Sequence, residues 1–438
     1  MATGVPKSKW QKNSLTIKKH EEVVVHYTGK KSEVSVLNSP DSVVQLLWDG
    51  PGTNGDRQRN RLYYGDNLGI MASFLPELRG KVRLIYIDPP YGTKSIFQSR
   101  KHQTDAYSDI LSGAHYVEFL RERLIVLFEL LAHNGSIYVH LDDNMVFPIK
   151  LVMDEIFGAR NFRNFIVRRK CSSKNFTRKV FGNVADYILF YSKSDDYVWN
   201  RQYEEWTPEK VQKEYEFLEK ETGRIYKRVP IHAPGTRNGE TGKEWKGMKP
   251  PPGKHWQFPP AVLDEMDARG EIYWSSNGNP RRKIYLDKSN GMAIQDIWND
   301  FRDAHNQNVV ITGYPTEKNP EMLRRIIRAS SNEGDLVMDV FSGSGTTLCV
   351  AEEEKRKWIG VDNSAEAIAV TLQRFFKGSQ LMGDYTQNSK LKQNGGQLVL
   401  DDAIMQVGSH KRITNFSLYA DQKMKAEILP ILQHYSIK

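Results

Sequence analysis

Leu84-Ile85-Tyr86-Ile87-Asp88-Pro89-Pro90-Tyr91 reads as a buried strand that stops at an acid, two prolines and an aromatic. The apolar run is short and β-branched at Ile85 and Ile87, as expected of a parallel strand covered on both faces. Pro89 and Pro90 have no backbone N–H to give a ladder, so the strand ends there. The chain leaves as a stiff, extended corner that holds Asp88 and Tyr91 at the carboxyl edge of a sheet. In open α/β sheets that edge is where ligands bind.

A second stretch, Leu336-Val337-Met338-Asp339-Val340-Phe341-Ser342-Gly343-Ser344-Gly345-Thr346-Thr347, repeats the logic. A buried strand runs into a turn with glycines two apart, and a helical run follows from Leu348 to Glu354. The glycines let the backbone approach a ligand, and the helix start offers unpaired N–H groups. With two glycines and no Walker-type lysine, it is neither the three-glycine dinucleotide fingerprint nor a P-loop. Lys357-Trp358-Ile359-Gly360-Val361-Asp362 is a third short strand ending in an acid. It falls about twenty residues after the turn, where an acid commonly grips ribose hydroxyls. Strand, Gly-x-Gly, helix, strand and acid in that order indicate a nucleotide site.

Asp-Pro-Pro-Tyr at 88–91 and Asp-x-Phe-x-Gly-x-Gly-Thr-Thr at 339–347 together resemble the S-adenosylmethionine-dependent amino-methyltransferases of DNA. The catalytic motif precedes the cofactor motif, as in the circularly permuted β class, and the likeness runs from about Arg61 to Gly378. It implies an α/β fold: a circularly permuted Rossmann-like methyltransferase sheet, mostly parallel with a terminal antiparallel hairpin, plus an inserted target-recognition region. It implies S-adenosyl-L-methionine as cofactor and double-stranded DNA as partner, with a companion restriction endonuclease and a homodimer left open. A cytoplasmic location, on the nucleoid when DNA is bound, goes with it.

The composition is compatible. The 438 residues are 39% apolar and 26% charged, enough for one large α/β domain with insertions or for two domains. The net charge of +9 favours a polyanionic partner. Cys171 and Cys349 stand far apart without companions at ligand spacing, so neither a disulfide framework nor a zinc site is expected, and a reducing compartment fits. No run approaches the roughly 20 apolar residues of a membrane span. The basic N-terminus lacks the apolar core of a secretory signal.

Five regions are expected: a basic N-terminal extension (1–55), a catalytic half (56–193), a target-recognition insertion (194–310), a cofactor-binding half (311–378) and a C-terminal extension (379–438). In the catalytic half, Arg61 to Leu68 reads as a strand ending in Gly65-Asp66, and a helix from Gly69 to Leu78 follows. A polar loop from Tyr91 to about Gly113 exceeds the usual connection length. Leu120, Leu124, Leu127 and Leu131 predict a core-facing helix from His115, ended by Asn134-Gly135. Ser136–Leu141 is the next strand; the acids after it, Asp142 and Asp143, lack a third ligand and are not read as a metal site. Val146–Phe157 reads as a helix. Asn164–Arg169 and Asp186–Tyr191 read as a hairpin, and the basic run Arg168 to Lys179 between them as a phosphate-contacting loop. In the insertion, strand–helix alternation stops and tryptophans interleave with lysines and arginines, which suits nucleic-acid recognition; some of these tryptophans would form a local core. Asn319 reads as the N-cap of a helix with Pro320 at its first position. The termini carry a β-like run at Glu22–Tyr27, a strand at Leu398–Leu400 and a helix near Lys423–His434.

The resemblance assigns roles residue by residue. Asp88 and the Pro89 carbonyl would hold the hydrogens of an exocyclic amine, with Pro90 stiffening the corner and Tyr91 stacking on a base flipped from the duplex. Gly343, Gly345, Thr346, Phe341 and Asp339 would form the seat of the methionine part, and Asp362 would bind ribose. Asp66 would touch adenine. The family has Lys and Pro adjacent, whereas here Asn319 separates Lys318 from Pro320, which leaves the contact of Lys318 open. No metal is implied. Asp at the first motif position usually accompanies adenine N6 and Ser cytosine N4. Adenine is therefore the first reading, cytosine N4 the second, and an RNA adenine methyltransferase or a catalytically silent DNA-binding subunit stand behind them.

Overall fold

The computed structural model describes residues 24–51, 60–90, 113–171, 179–301, 317–377 and 412–434. The chain divides into two compact units, Met1–Asn200 with Gln295–Lys438, and Arg201–Ile294. In chain order the larger unit begins with α1 (Glu33–Leu37), β1 (Val44–Asp49), β2 (Asn60–Tyr64), α2 (Asn67–Leu78), β3 (Val82–Ile87), α3 (Ala114–Leu130), β4 (Leu131–Leu141), α4 (Val146–Phe157), β5 (Phe162–Arg169) and β6 (Ala185–Ser192). The smaller unit holds β7 (Tyr203–Glu204), α5 (Pro208–Glu214), β8 (Phe217–Leu218), β9 (Ile225–Pro230), β10 (His232–Pro234), β11 (Lys254–Trp256), α6 (Pro260–Ala268), β12 (Ile272–Trp274), β13 (Pro280–Tyr285) and β14 (Met292–Ala293). The larger unit resumes with β15 (Ile297–Trp298), α7 (Pro320–Ser330), β16 (Leu336–Asp339), α8 (Thr346–Glu353), β17 (Lys357–Asp362), α9 (Ala365–Lys377), β18 (Phe416–Asp421) and α10 (Lys425–His434).

Ten strands of the larger unit form one sheet in the order β1-β18-β2-β17-β16-β3-β4-β6-β5-β15. From β18 to β4 every neighbouring pair is parallel. The antiparallel β5–β6 hairpin follows β4, and β15 adds a short parallel edge beyond it. β3 shows why its sequence lacks polar alternation: all its residues but Arg83 are buried, since both faces are covered. The apolar stripe of α3 is as expected, with Leu120, Leu124, Leu127 and Leu130 all fully buried. α7 carries Met322, Leu323, Ile326 and Ile327 inward and starts at Asn319, whose side chain accepts the Glu321 N–H at 2.9 Å. The strand order reverses between β16 and β3: from β3 the chain proceeds to β4 on one side, and from β16 to β17 on the other.

Four details differ from the sequence reading. Helix α3 stops at Leu130, and Asn134-Gly135 lies inside β4 rather than ending the helix. A Cβ at Gly135 would sit 2.9 Å from the carbonyl oxygens of both Val82 and Arg83, so this glycine permits close approach of two strands. The two ends of the chain are not both peripheral, because β1 and β18 belong to the main sheet and β18 lies between β1 and β2. Arg168 is not a surface phosphate contact: it is wholly buried and pairs with Asp186 at 3.0 Å. Residues 24–27 form no strand. Tyr91 and most of the loop after it, the loop residues 172–178 and Leu398–Leu400 lie outside the described residues.

The smaller unit has a four-stranded antiparallel sheet, β12-β13-β9-β8, and two short two-stranded ladders. Trp245 and Trp256 form its own core with Ile231, Leu263, Met266 and Ile272, and Trp274 packs against them. Their indole N–H groups are satisfied within the unit, Trp245 on Asp264 at 2.8 Å, Trp274 on Asp267 at 2.8 Å and Trp256 on the Lys243 carbonyl at 2.9 Å. These three tryptophans are therefore structural.

Candidate active site

Four neighbouring parallel strands, β2, β17, β16 and β3, each deliver an aspartate to the same edge of the sheet: Asp66, Asp362, Asp339 and Asp88. The strands that end at Asp88 and Asp339 are parallel neighbours, with Val337 paired to Leu84 and Met338 to Ile85. After Asp88, Pro89 is buried and Pro90 exposed. Four acids along one edge would repel if all were bare, and the structure gives each a different set of partners.

Asp339 is turned into its own loop. Its carboxylate accepts the Phe341 N–H at 3.0 Å and the Thr347 hydroxyl at 2.6 Å. Burial pushes this carboxyl up to about 7, and the charges of Asp88 and Asp362 push the same way. Asp362 closes the other side of the turn, accepting the N–H groups of Gly343 at 2.8 Å and Ser364 at 2.9 Å. Burial raises its proton affinity as well, against those two hydrogen bonds.

The glycine turn is held from three directions. Ser342 N–H donates to the Val361 carbonyl at 3.1 Å, Gly345 N–H to the Ser342 carbonyl at 2.8 Å, and the Thr371 hydroxyl of α9 to the Gly343 carbonyl at 3.0 Å. Gly343 and Gly345 have φ of 50° and 72°, and a Cβ on Gly345 would meet the Thr371 side chain at 2.8 Å. Thr346 opens α8 and lies 3.1 Å from the Ser344 hydroxyl. Phe341 packs near Phe119, with ring centroids 6.2 Å apart. The Ser342 hydroxyl is buried with no hydrogen-bond partner, an unmet polar group inside the turn. A tight, left-handed glycine turn with an unsatisfied hydroxyl and an acid at the next strand end fits the methionine and ribose parts of S-adenosylmethionine.

Asp66 caps α2 through the Gly69 N–H at 3.1 Å and takes a salt bridge from Arg123 at 2.9 Å. Its neighbour Asn67 donates to the Val340 carbonyl at 2.7 Å, which ties the Gly-Asp loop to the exit of β16. Gly65 N–H reaches the Asp362 carbonyl at 2.9 Å, so the Asp66 and Asp362 corners adjoin.

Lys318 comes to Asp88. Its ammonium group forms an ion pair with Asp88 Oδ2, and the lysine is only 9% exposed. The preceding residue, Glu317, is buried and paired with Arg374 of α9, which also reaches the Ser344 hydroxyl at 3.4 Å. One short segment is thus tied to the Asp88 corner directly and to the glycine turn through Arg374.

Sequence reasoning did not single out the groups that surround these residues. His140 of β4 is fully buried, shares a 2.8 Å hydrogen bond with the Tyr86 hydroxyl, and stands 4.0 Å from Asp88 Oδ1. Arg123, Glu317, Thr371 and Arg374 were likewise unmarked. The one available hint was a histidine in an otherwise apolar strand run, Ser136 to Leu141. Among the described residues there is no cluster of three or more His, Cys, Asp or Glu suited to a metal ion, and no helix long and apolar enough to cross a membrane.

Comparison with known proteins places this geometry. The profile of the N6/N4 methyltransferase family described as DNA methylase matches residues 82–373. The chain is 45% identical over 402 residues to the type II methyltransferase M.EcaI of Enterobacter cloacae, spanning 91% of this chain and 87% of that protein. It is 27% identical to the Mod subunit of the type III restriction-modification enzyme StyLTI of Salmonella typhimurium, over 66% of this chain and 49% of that one. Among solved structures, the PvuII DNA methyltransferase, described as cytosine-N4-specific, is 17% identical with a TM-score of 0.40, covering 73% of this chain and 87% of that chain.

Proposed function

This chain belongs to the DNA methylase family of N6 and N4 amino-methyltransferases, and from that premise we propose that it methylates the N6 amino group of adenine at a specific site in double-stranded DNA. The observation that carries the reading is the Asp88 carboxylate at the end of β3, next to the strand that feeds the glycine turn.

An exocyclic amine conjugated to a base ring is a poor nucleophile. Two acceptors that hold its hydrogens favour a tetrahedral nitrogen whose lone pair is free to attack. Asp88 and the Pro89 carbonyl supply these acceptors, and Pro90 keeps the corner stiff. Tyr91 stacks on the base once it has left the duplex. S-adenosyl-L-methionine is the cofactor and supplies an electrophilic methyl group when bound. Gly343, Gly345, Thr346, Phe341 and Asp339 shape its seat, Asp362 takes ribose hydroxyls, Asp66 borders the adenine, and Lys318 faces both the cofactor's carboxylate and Asp88. The insertion, with its exposed lysines, supplies DNA contacts. The names of the M.EcaI and StyLTI relatives support a modification role beside a restriction endonuclease.

The deciding experiment is tritiated methyl transfer from S-adenosylmethionine to unmethylated genomic DNA, with Asp88→Ala beside the wild type and the nucleosides separated afterwards. Label in N6-methyladenine, absent from the variant, is the expected result. Label in N4-methylcytosine replaces adenine by cytosine in the reading, and no label in DNA rejects it.

A further inference from the structure

Behind Asp88 lies a column of polar side chains that the methyl-transfer reading leaves unused. It crosses four strands: Tyr86 on β3, His140 on β4, Asp186 on β6 and Arg168 on β5. His140 and Arg168 are fully buried, and Tyr86 and Asp186 nearly so. Tyr86 holds one ring nitrogen of His140 at 2.8 Å. Asp186 Oδ2 lies 3.0 Å from the other, too close to be accidental but out of line for a full hydrogen bond. Arg168 fixes Asp186 at 3.0 Å and is itself anchored on the Phe301 carbonyl at 2.8 Å.

Two features separate this column from polar filler. His140 Nδ1 stands 4.0 Å from Asp88 Oδ1, while Lys318 grips Oδ2, so the two carboxylate oxygens face different cations or dipoles. The column is also under-satisfied: His140 Nε2 and Asp186 Oδ1 lack proper hydrogen bonds. Each unmet polar atom in a buried network calls for an explanation, and a role at a neighbouring functional site is one. Burial raises the proton affinity of Asp186, yet the neighbouring His140 and Arg168 outweigh it and hold the carboxyl well below the usual range. A fixed negative charge therefore stands behind the imidazole.

We propose that His140 is a positioning residue for Asp88: clamped between Tyr86 and Asp186, it fixes the orientation and polar surroundings of the carboxylate that receives the amine. This inference rests on the methyltransferase reading. The titratable groups that face His140 are Tyr86 and Asp88 from β3 and Asp186 from β6; behind them, Arg168 from β5 and Lys318 from the lead-in to α7 act on Asp186, and Asp339 from β16 acts on Tyr86. Removing the imidazole takes away the polar group that stands 4.0 Å from Asp88 Oδ1 and holds the Tyr86 hydroxyl, and the pH profile of turnover reads that change in the carboxylate's surroundings.

The test compares full-length wild type with His140→Gln and Asp186→Asn, both close in shape to the residues they replace. Methyl transfer to DNA is followed across pH, with separate KM values for cofactor and DNA and a melting curve for each protein. His140→Gln should lower kcat by ~10-fold or more and move the acid limb of its pH profile up by about one pH unit, with both KM values within about threefold and a folded protein whose melting falls by no more than the loss of a buried hydrogen bond explains. Asp186→Asn should move the limb the same way by a smaller amount. A profile that superimposes on wild type overturns the proposal, as does a kcat that falls equally at every pH. Failure of both variants to fold makes the column structural and also overturns it. An inactive wild type rejects the functional reading itself, whereas an active wild type with an unaffected His140→Gln rejects this inference alone.

Discussion

Lys318 donates to Asp88 across 230 residues of chain, joining the segment before α7 to the corner after β3. The two motifs meet because β16 and β3 are parallel neighbours, and the ion pair gives the meeting a chemical consequence. A carboxylate that holds a cation on one oxygen is fixed in orientation at the strand end.

Replacing Asp88 by Ala should reduce methyl transfer by about a hundred- to ten-thousand-fold, the range for removal of a positioned acid–base group. Cofactor binding, measured by isothermal calorimetry, should persist. Equal loss of binding and turnover would place Asp88 in the cofactor seat instead.

Lys318→Met removes the ion pair with little change in length. On the proposal that Lys318 meets the cofactor as well as Asp88, kcat and cofactor affinity should each fall, by about tenfold or more. Lys318→Arg should recover part of both. An unchanged KM for S-adenosylmethionine would confine the lysine to the catalytic corner.

Gly345→Ala meets two penalties at once, a φ of 72° and a contact of 2.8 Å with Thr371. The expected cost is ~1–3 kcal/mol of stability together with weakened cofactor binding. Gly334 offers the control: its φ is 83° but nothing lies within 4 Å of the added Cβ. Gly334→Ala should therefore cost only the backbone term, ~1–2 kcal/mol, and leave the cofactor untouched. Urea titrations and calorimetry on both variants separate the two effects.

Asp339 should make the protein less stable as pH rises. Its carboxyl is held up to about 7 in the fold, against about 4 in an unfolded chain. Between those values the native state binds the extra proton, so stability falls through that window and levels off above it. Asp339→Asn should abolish this component, and its stability relative to wild type should improve from pH 5 to pH 8 by about 2–3 kcal/mol. Urea titrations at the two pH values provide the check; a difference that shrinks with pH would contradict the buried, protonated form.

In the smaller unit, exposed Lys210 and Lys213 on α5 share a concavity of about 550 Å³ with Trp206 and Lys227. If they contact phosphates, changing both to Glu should weaken DNA binding at all sequences and reduce the slope of log affinity against log salt by about 2. Fluorescence anisotropy at several salt concentrations measures it. An unchanged slope would move the DNA surface elsewhere on the insertion.

Sequence alone was enough to see the strands that end at Asp88 and Asp339, because Pro89-Pro90 and Gly343/Gly345 interrupt apolar runs in ways that only a few backbone geometries allow. The partner of Lys318 was not legible, since an ion pair between residues 230 apart leaves no local pattern. His140 and Asp186 were missed for a similar reason: each sits in an apolar run where one polar residue passes for ordinary strand sequence, and only sheet pairing aligns them. Asn134-Gly135 misled as a helix stop because Asn-Gly is a turn signal, whereas here the glycine serves a close strand contact. β18 escaped notice because its partners β1 and β2 are remote in the chain.

That strand bears on how the protein is made. Ser42 bonds to Asp421 across 379 residues, and Tyr64 to Glu427 across 363. During synthesis the β1 and β2 stretches are made long before the strand that fits between them. Until Phe416–Asp421 appears, the β1 flank of the sheet has no partner to zip against. Until that strand is made the nascent chain carries an open strand edge, the kind of surface that chaperones cover and that favours aggregation when translation stalls.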